Sequence, residues 1–192
     1  MLIVTLVWCG TVIADRQKLN ESLIRLHIVA DSDEVKSQQL KIRVRDGIVE
    51  SLRNSMAEFE DVEEARAYLR EHLPDLESLA NRILQEFGAD LTAKVSLSRE
   101  TFPKKSYDTF TLPAGVYEAL RIVIGEGKGE NWWCVVFPQF CLPTSSEEFQ
   151  TAAVNAGFTD ELTAALSDNE VAELRFLFLD ALGWIENFFY RV

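Results

Sequence analysis

The spacing of hydrophobic and polar positions divides the chain into alternating and helical stretches. Residues 23–30, LIRLHIVA, alternate in part and are rich in aliphatic and β-branched side chains, which predicts a strand. On such a strand Arg25 and His27 share one face while Ile24, Leu26 and Ile28 take the other. Asp31-Ser32-Asp33 breaks the pattern and supplies N-cap candidates. From Glu34 to about Met56 the period is helical, with Leu40, Val44, Ile48 and Leu52 at every fourth position. Asp61 followed by Glu64 has the form of a capping box and opens a second helix that runs to about His72. Pro74 is placed to begin a third helix, with Leu76, Leu79, Ile83 and Phe87 on one stripe and Gly88 as the stop.

After Gly88 the period falls to two. Ala93, Val95 and Leu97 alternate with Lys94, Ser96 and Ser98, as in a strand with one wet face. The segment 102–115, FPKKSYDTFTLPAG, reads as a long connection closed by a turn. Residues 116–124 and 132–137 are two further strands, joined by GEGKGEN. Three consecutive strands joined by loops predict an antiparallel meander. The order strand–helices–strand–strand–strand predicts an α+β domain of two layers. Its sheet is largely antiparallel, with helices on one face. An aromatic helix over about 169–190 closes the chain, with Val171, Leu174, Phe178, Leu182, Ile185 and Phe189 on one stripe.

Composition sharpens this division. Of 192 residues 47% are hydrophobic, which excludes wholesale disorder. The net charge of −12 argues against binding to nucleic-acid phosphates and to anionic lipid. That charge is uneven: residues 142–174 carry seven acidic side chains and no Lys or Arg. The first fourteen residues carry no charge and match the apolar core of a secretory signal, although no basic residue precedes them. A buried N-terminal strand is the other reading of that stretch. The expected organisation is 1–14 as signal or apolar segment, 15–142 as the α+β domain, and 143–192 as an acidic segment with an amphipathic helix.

The chemistry on offer is sparse. Six residues, Pro138 among them, separate Cys134 from Cys141, so they are either a bridge or two buried thiols. His27 and His72 are far apart and there is no CxxC, which argues against a structural metal. Gly125, Gly127, Lys128 and Gly129 resemble a phosphate loop but fail both fingerprints, because position 130 is Glu and Gly129 follows the lysine. A strand follows, not a helix, so the loop reads as a flexible hairpin connection. No catalytic motif is satisfied, and no cofactor is expected. Trp132 and Trp133 must point to opposite faces of their strand, one into the core and one outward unless covered.

Together these residues resemble a known family. RLHIVADSD (25–33), with Gln38, Leu40, Lys41 and Val44-Arg45-Asp46, is similar to the opening block of stage II sporulation protein R. Phe102-Pro103, Lys105, Tyr107, TLPAG (111–115), YEALR (117–121) and IGEGKGENWWCVVFP (124–138) resemble its central signature, and LRFLFLDALGWIENFF (174–189) its closing helix. The resemblance implies a non-enzymatic signalling protein of endospore formers. Such a protein is exported from the forespore into the space between the forespore and mother-cell membranes. There it activates a membrane-embedded aspartic protease that processes the early mother-cell sigma-factor precursor. Contact with the protease is expected from Arg25, His27, Lys128, Asn131 and the outward member of Trp132 and Trp133. The alternative is a cell-envelope hydrolase or ligand-binding domain that uses His27 and the Gly125–Gly129 loop.

Overall fold

The computed structural model describes residues 17–139, 145–155 and 157–168, together with Gly10, Ala14, Asp15 and Cys141. Helical residues 17–22 form α1. There follow β1 (Ile24–Val29), α2 (Val35–Glu58), α3 (Val62–Glu86), β2 (Ala93–Phe102), β3 (Lys105–Ser106), β4 (Thr111–Leu112), β5 (Gly115–Ile124), β6 (Asn131–Phe137), α4 (Ser146–Asn155) and α5 (Asp160–Ser167). The architecture is α+β, as expected, with a mixed four-stranded sheet and a separate two-stranded one. The readings of residues 1–14 as a signal and of 169–190 as a helix fall on positions largely outside the described residues.

Two compact units are present. One is Ile24–Ser98 with Ala119–Leu142; the other combines Arg99–Glu118 with the described residues before Ile24 and after Leu142. In the first, α2 and α3 pack on each other and α2 lies on β1 and β6. The every-fourth-residue stripe of α2 (Leu40, Val44, Ile48, Leu52, Met56) is buried against Ile24, Leu26 and Ile28 of β1 and Leu120, Ile122 and Ile124 of β5. Each such aliphatic side chain contributes about 1.5–3 kcal/mol when fully removed from water. In the second unit, rings form the core: Phe110 stacks on Phe149 at 4.6 Å and Phe102 meets Tyr117 edge-on at 5.8 Å. The Tyr117 hydroxyl donates to the Pro113 carbonyl at 2.8 Å.

Two local expectations fail for identifiable reasons. Helix α3 is continuous through Pro74, where two helices were expected. Proline removes one backbone donor, but the stripe Leu69, Leu76, Ala80 and Ile83 is buried on both sides of it, and that packing carries the helix across. The helix starts as the sequence suggests, with the Asp61 carboxylate accepting from the Glu63 and Glu64 amides at 2.8 and 2.9 Å. It ends in a Schellman turn, with Gly88 N–H bonded to Gln85 O and Ala89 N–H to Leu84 O, both 2.9 Å. The connection 102–115 is not featureless, because β3 and β4 pair across it, Lys105 opposite Leu112. Within the stretch 143–192, expected as an acidic segment with a C-terminal helix, the described residues form α4 and α5.

The strand order differs more deeply from a meander. It is β2-β5-β1-β6, so β1 lies between the two strands expected to form a hairpin. Strands β1 and β6 pair antiparallel with His27 opposite Trp133, Ile28 opposite Trp132 and Val29 opposite Asn131. The GEGKGE loop is therefore a crossover past the end of β1. Beyond β6 the chain turns at the cis peptide Phe137–Pro138, and Cys141 is bonded to Cys134 with a Cα–Cα distance of 5.1 Å. The Gln139 amide in this turn donates to the carbonyls of Leu52 and Arg53 near the end of α2. Replacing both cysteines by Ala is expected to lower the unfolding free energy by roughly 2–3 kcal/mol, the loop-closure contribution of so short a ring. Urea denaturation of the oxidised protein beside the variant measures it.

Candidate functional site

Beyond the paired ends of β1 and β6, two loops meet. Residues 30–33 leave β1 and residues 125–130 cross over them, so that two segments distant in sequence become one surface. Backbone bonds join them directly: Gly129 N–H to Ala30 O at 2.9 Å and Lys128 N–H to Asp31 O at 3.1 Å. The two aspartates then act on the crossing loop. Asp31 Oδ1 accepts from the Glu126 amide at 2.8 Å, and Asp33 Oδ1 from the Glu130 amide at 2.7 Å. Neither caps α2, as the sequence had suggested; its N-cap is Glu34, which makes no side-chain bond. Hydrogen bonds donated to a carboxylate are about twice as strong as those between neutral groups.

This proximity explains the glycines. A Cβ at Gly129 would lie 2.3 Å from the Ser32 carbonyl oxygen, and one at Gly125 would lie 2.1 Å from Asp31 Oδ1. Gly125 also has φ of 57°. The loop is glycine-rich because two backbones touch there, and the expected flexible hairpin is instead a clasped crossover.

Helix α2 locks the clasp from below. Lys41 is buried, with Nζ donating to the Glu130 carbonyl at 2.9 Å and to Gln38 Oε1 at 2.5 Å. Gln38 Nε2 donates in turn to the Ser32 carbonyl at 2.8 Å, and the Ser32 and Ser37 hydroxyls share a bond of 2.9 Å. One helix turn thus touches both loops. Burial lowers the pKa of the Lys41 ammonium; the Glu130 and Asp33 carboxylates oppose this and Arg45 adds to it. The folded chain therefore releases this proton before the unfolded chain does, and the unfolded state binds more protons in the alkaline window below 10.5. Stability should rise with pH across that window, and Lys41→Met should abolish this component of the rise. Denaturation midpoints from about pH 8 upward, compared between the two proteins, give the result.

On the sheet, alternation separates the two tryptophans as expected. Trp132 lies on the helix side, half-buried against the core, with the Arg45 guanidinium 4.2 Å from its ring centre. Trp133 faces the other side and stacks on His27 at 3.8 Å with the planes 15° apart. His27 Nε2 is 2.8 Å from Oδ1 of Asn131, which shares the face of Trp133. The imidazole is held at its face by an indole and at one edge by an amide.

The expected contact residues therefore divide. Lys128, whose side chain is 74% exposed and paired with Glu126 at 2.5 Å, stands on the surface with Asn131. Trp132 and Trp133 are half-buried. Arg25 and His27 are corrected: Arg25 is wholly buried, with Nε donating to the Cys134 carbonyl at 3.3 Å, and His27 is 7% exposed. The reason is that both faces of β1 are buried along its whole length, so neither is wet. Asp31, Asp33 and Lys41 were missed as determinants of the site. The available signal was Gly129, a glycine in a loop that required no tight turn there. Among the described residues no cluster of three or more His, Cys, Asp or Glu could hold a metal ion, and no helix is long and apolar enough to cross a membrane.

Residues 20–147 match the family described as Stage II sporulation protein R (spore_II_R). A curated relative, Stage II sporulation protein R of Bacillus subtilis (strain 168), is 38% identical over 121 residues, which cover 63% of this chain and 54% of that protein. The chain thus spans about half the length of the curated relative it matches. No solved structure matches.

Proposed function

This chain belongs to the stage II sporulation protein R family, and on that premise we propose that it is an exported sporulation signal. In this reading it binds a membrane-embedded aspartic protease on its extracytoplasmic side and so promotes cleavage of the early mother-cell sigma-factor precursor. It acts in the space between the forespore and mother-cell membranes and catalyses nothing itself. The observation that carries this reading is the clasp. The two sequence blocks most characteristic of the chain, 25–33 and 124–138, converge on one surface that positions side chains rigidly. Lys128 and Asn131 are its exposed members, and Trp133 with His27 supports Asn131 from beneath.

Activation by such a protein requires that it bind the active state of the protease more tightly than the inactive one. The test is co-expression of the exported chain, the protease and the precursor in a non-sporulating host. Processing is expected with the chain and not without it, and a cytosolic form lacking residues 1–14 should be inert. Processing that proceeds equally without the chain would sink the proposal. Lys128→Ala should reduce processing severalfold while changing the unfolding free energy by no more than about 0.5 kcal/mol, the usual range of a surface substitution.

A further inference from the structure

A second surface lies at the start of α2, on the helix side of the same unit. Three large hydrophobic side chains are exposed among the described residues, and two of them, Val35 (74% exposed) and Phe87 (49%), line one groove of about 710 Å³. Ile42 adds apolar wall between them. Exposed apolar side chains that cluster around a concavity mark interaction sites more often than scattered ones do.

Two of the three charged residues that line this groove are basic, Lys36 and Arg43. Residues 35–45 hold Lys36, Lys41, Arg43 and Arg45 and no acid, in a chain whose net charge is −12. Lys41 is occupied beneath the clasp, but Lys36 and Arg43 are exposed at the groove, and neither forms an ion pair among the described residues. The Arg43 guanidinium lies 5.1 Å from the centre of the Phe87 ring, so the arginine is braced against an aromatic face. Asp33 also lines the groove, but its Oδ1 faces the Glu130 amide.

We infer that this groove docks an acidic segment of a partner protein that carries apolar side chains. The apolar residues would enter between Val35 and Phe87 while carboxylates meet Lys36 and Arg43. This deepens the signalling reading above and rests on it only for which partner supplies the segment. An anionic membrane would be opposed by the charge of the whole chain, and a second copy would bring two strongly acidic molecules together.

The test titrates the full chain, observed by amide NMR, with a synthetic amphipathic peptide bearing Glu on one face and Leu and Phe on the other. Shifts should appear at Val35, Lys36, Arg43 and Phe87, weaken as salt is raised, and be absent for the same peptide with Lys replacing Glu. Lys36→Glu with Arg43→Glu should weaken the acidic peptide roughly tenfold. Phe87→Asp, an exposed site, should do the same without loss of fold. Equal response to the basic peptide, shifts confined elsewhere, a preference for anionic vesicles, or self-association through the same residues in place of peptide binding would each overturn the inference. Peptide binding without any processing in co-expression would retire the activator reading alone. Processing that survives both variants, with no peptide bound, would retire the groove alone.

Discussion

Gly129→Ala should lower the unfolding free energy by roughly 2–4 kcal/mol, well beyond the usual cost of a surface substitution. The methyl group would lie 2.3 Å from the Ser32 carbonyl oxygen, a backbone atom, so the clash cannot be relieved by rotating a side chain. One loop must withdraw. Withdrawal would break the bond from Gly129 to Ala30 and strain those from Glu126 and Glu130 to the two aspartates. A control is built into the same chain. Gly88 has φ of 65° but nothing within 4 Å of an added Cβ, so Gly88→Ala should cost only about 1 kcal/mol, the penalty of the left-handed conformation. Urea denaturation of both variants decides the matter, and equal costs would refute the clasp as described. Processing in co-expression should fall with Gly129→Ala even at temperatures where the variant remains folded.

Arg25→Ala should be as damaging, at about 3–5 kcal/mol. The side chain is wholly buried, and its Nε donates to the Cys134 carbonyl on the neighbouring strand. Truncation empties a large volume and removes a charged donor from a buried acceptor, two of the few mechanisms that produce effects of this size. Arg25→Lys should recover little, because a single ammonium cannot reproduce the planar set of donors. Both variants can be ranked by thermal unfolding. A cost below about 1 kcal/mol for Arg25→Ala would mean that the arginine is not integral to the interior. The contrast with Lys128 is instructive: both are cations in the signature blocks, but only one should affect activity without affecting stability.

Much of this molecule was legible in its sequence. The four-residue stripe of α2, the Asp61 cap and the Gly88 stop report local physics, and the local physics prevailed. What stayed hidden was non-local. Nothing in the sequence around Pro74 states that packing on both sides will hold α3 together. Nothing in IRLHIV distinguishes a strand with one wet face, on which Arg25 and His27 would be exposed, from a strand buried on both faces, which β1 is. The acids at 31 and 33 looked like helix caps because the cap is the commonest local use of aspartate before a helix. Their true partners lie about a hundred residues away, and only the glycine at 129 hinted at them. The separation of Trp132 from Trp133 was readable, since alternation along a strand requires no knowledge of its neighbours.

The insertion of β1 between β5 and β6 also bears on how the chain is made. A ribosome delivers β1 early, yet both of its sheet neighbours are synthesised long afterwards; His27 and Asn131, which bond across the β1–β6 pair, are 104 residues apart. Until β5 (Gly115–Ile124) has emerged, the nascent β1 has no sheet neighbour, and the pair with β6 must wait for residue 131 and those after it. Such wide pairing raises contact order and slows folding, because a long loop must close before any ladder bond repays it.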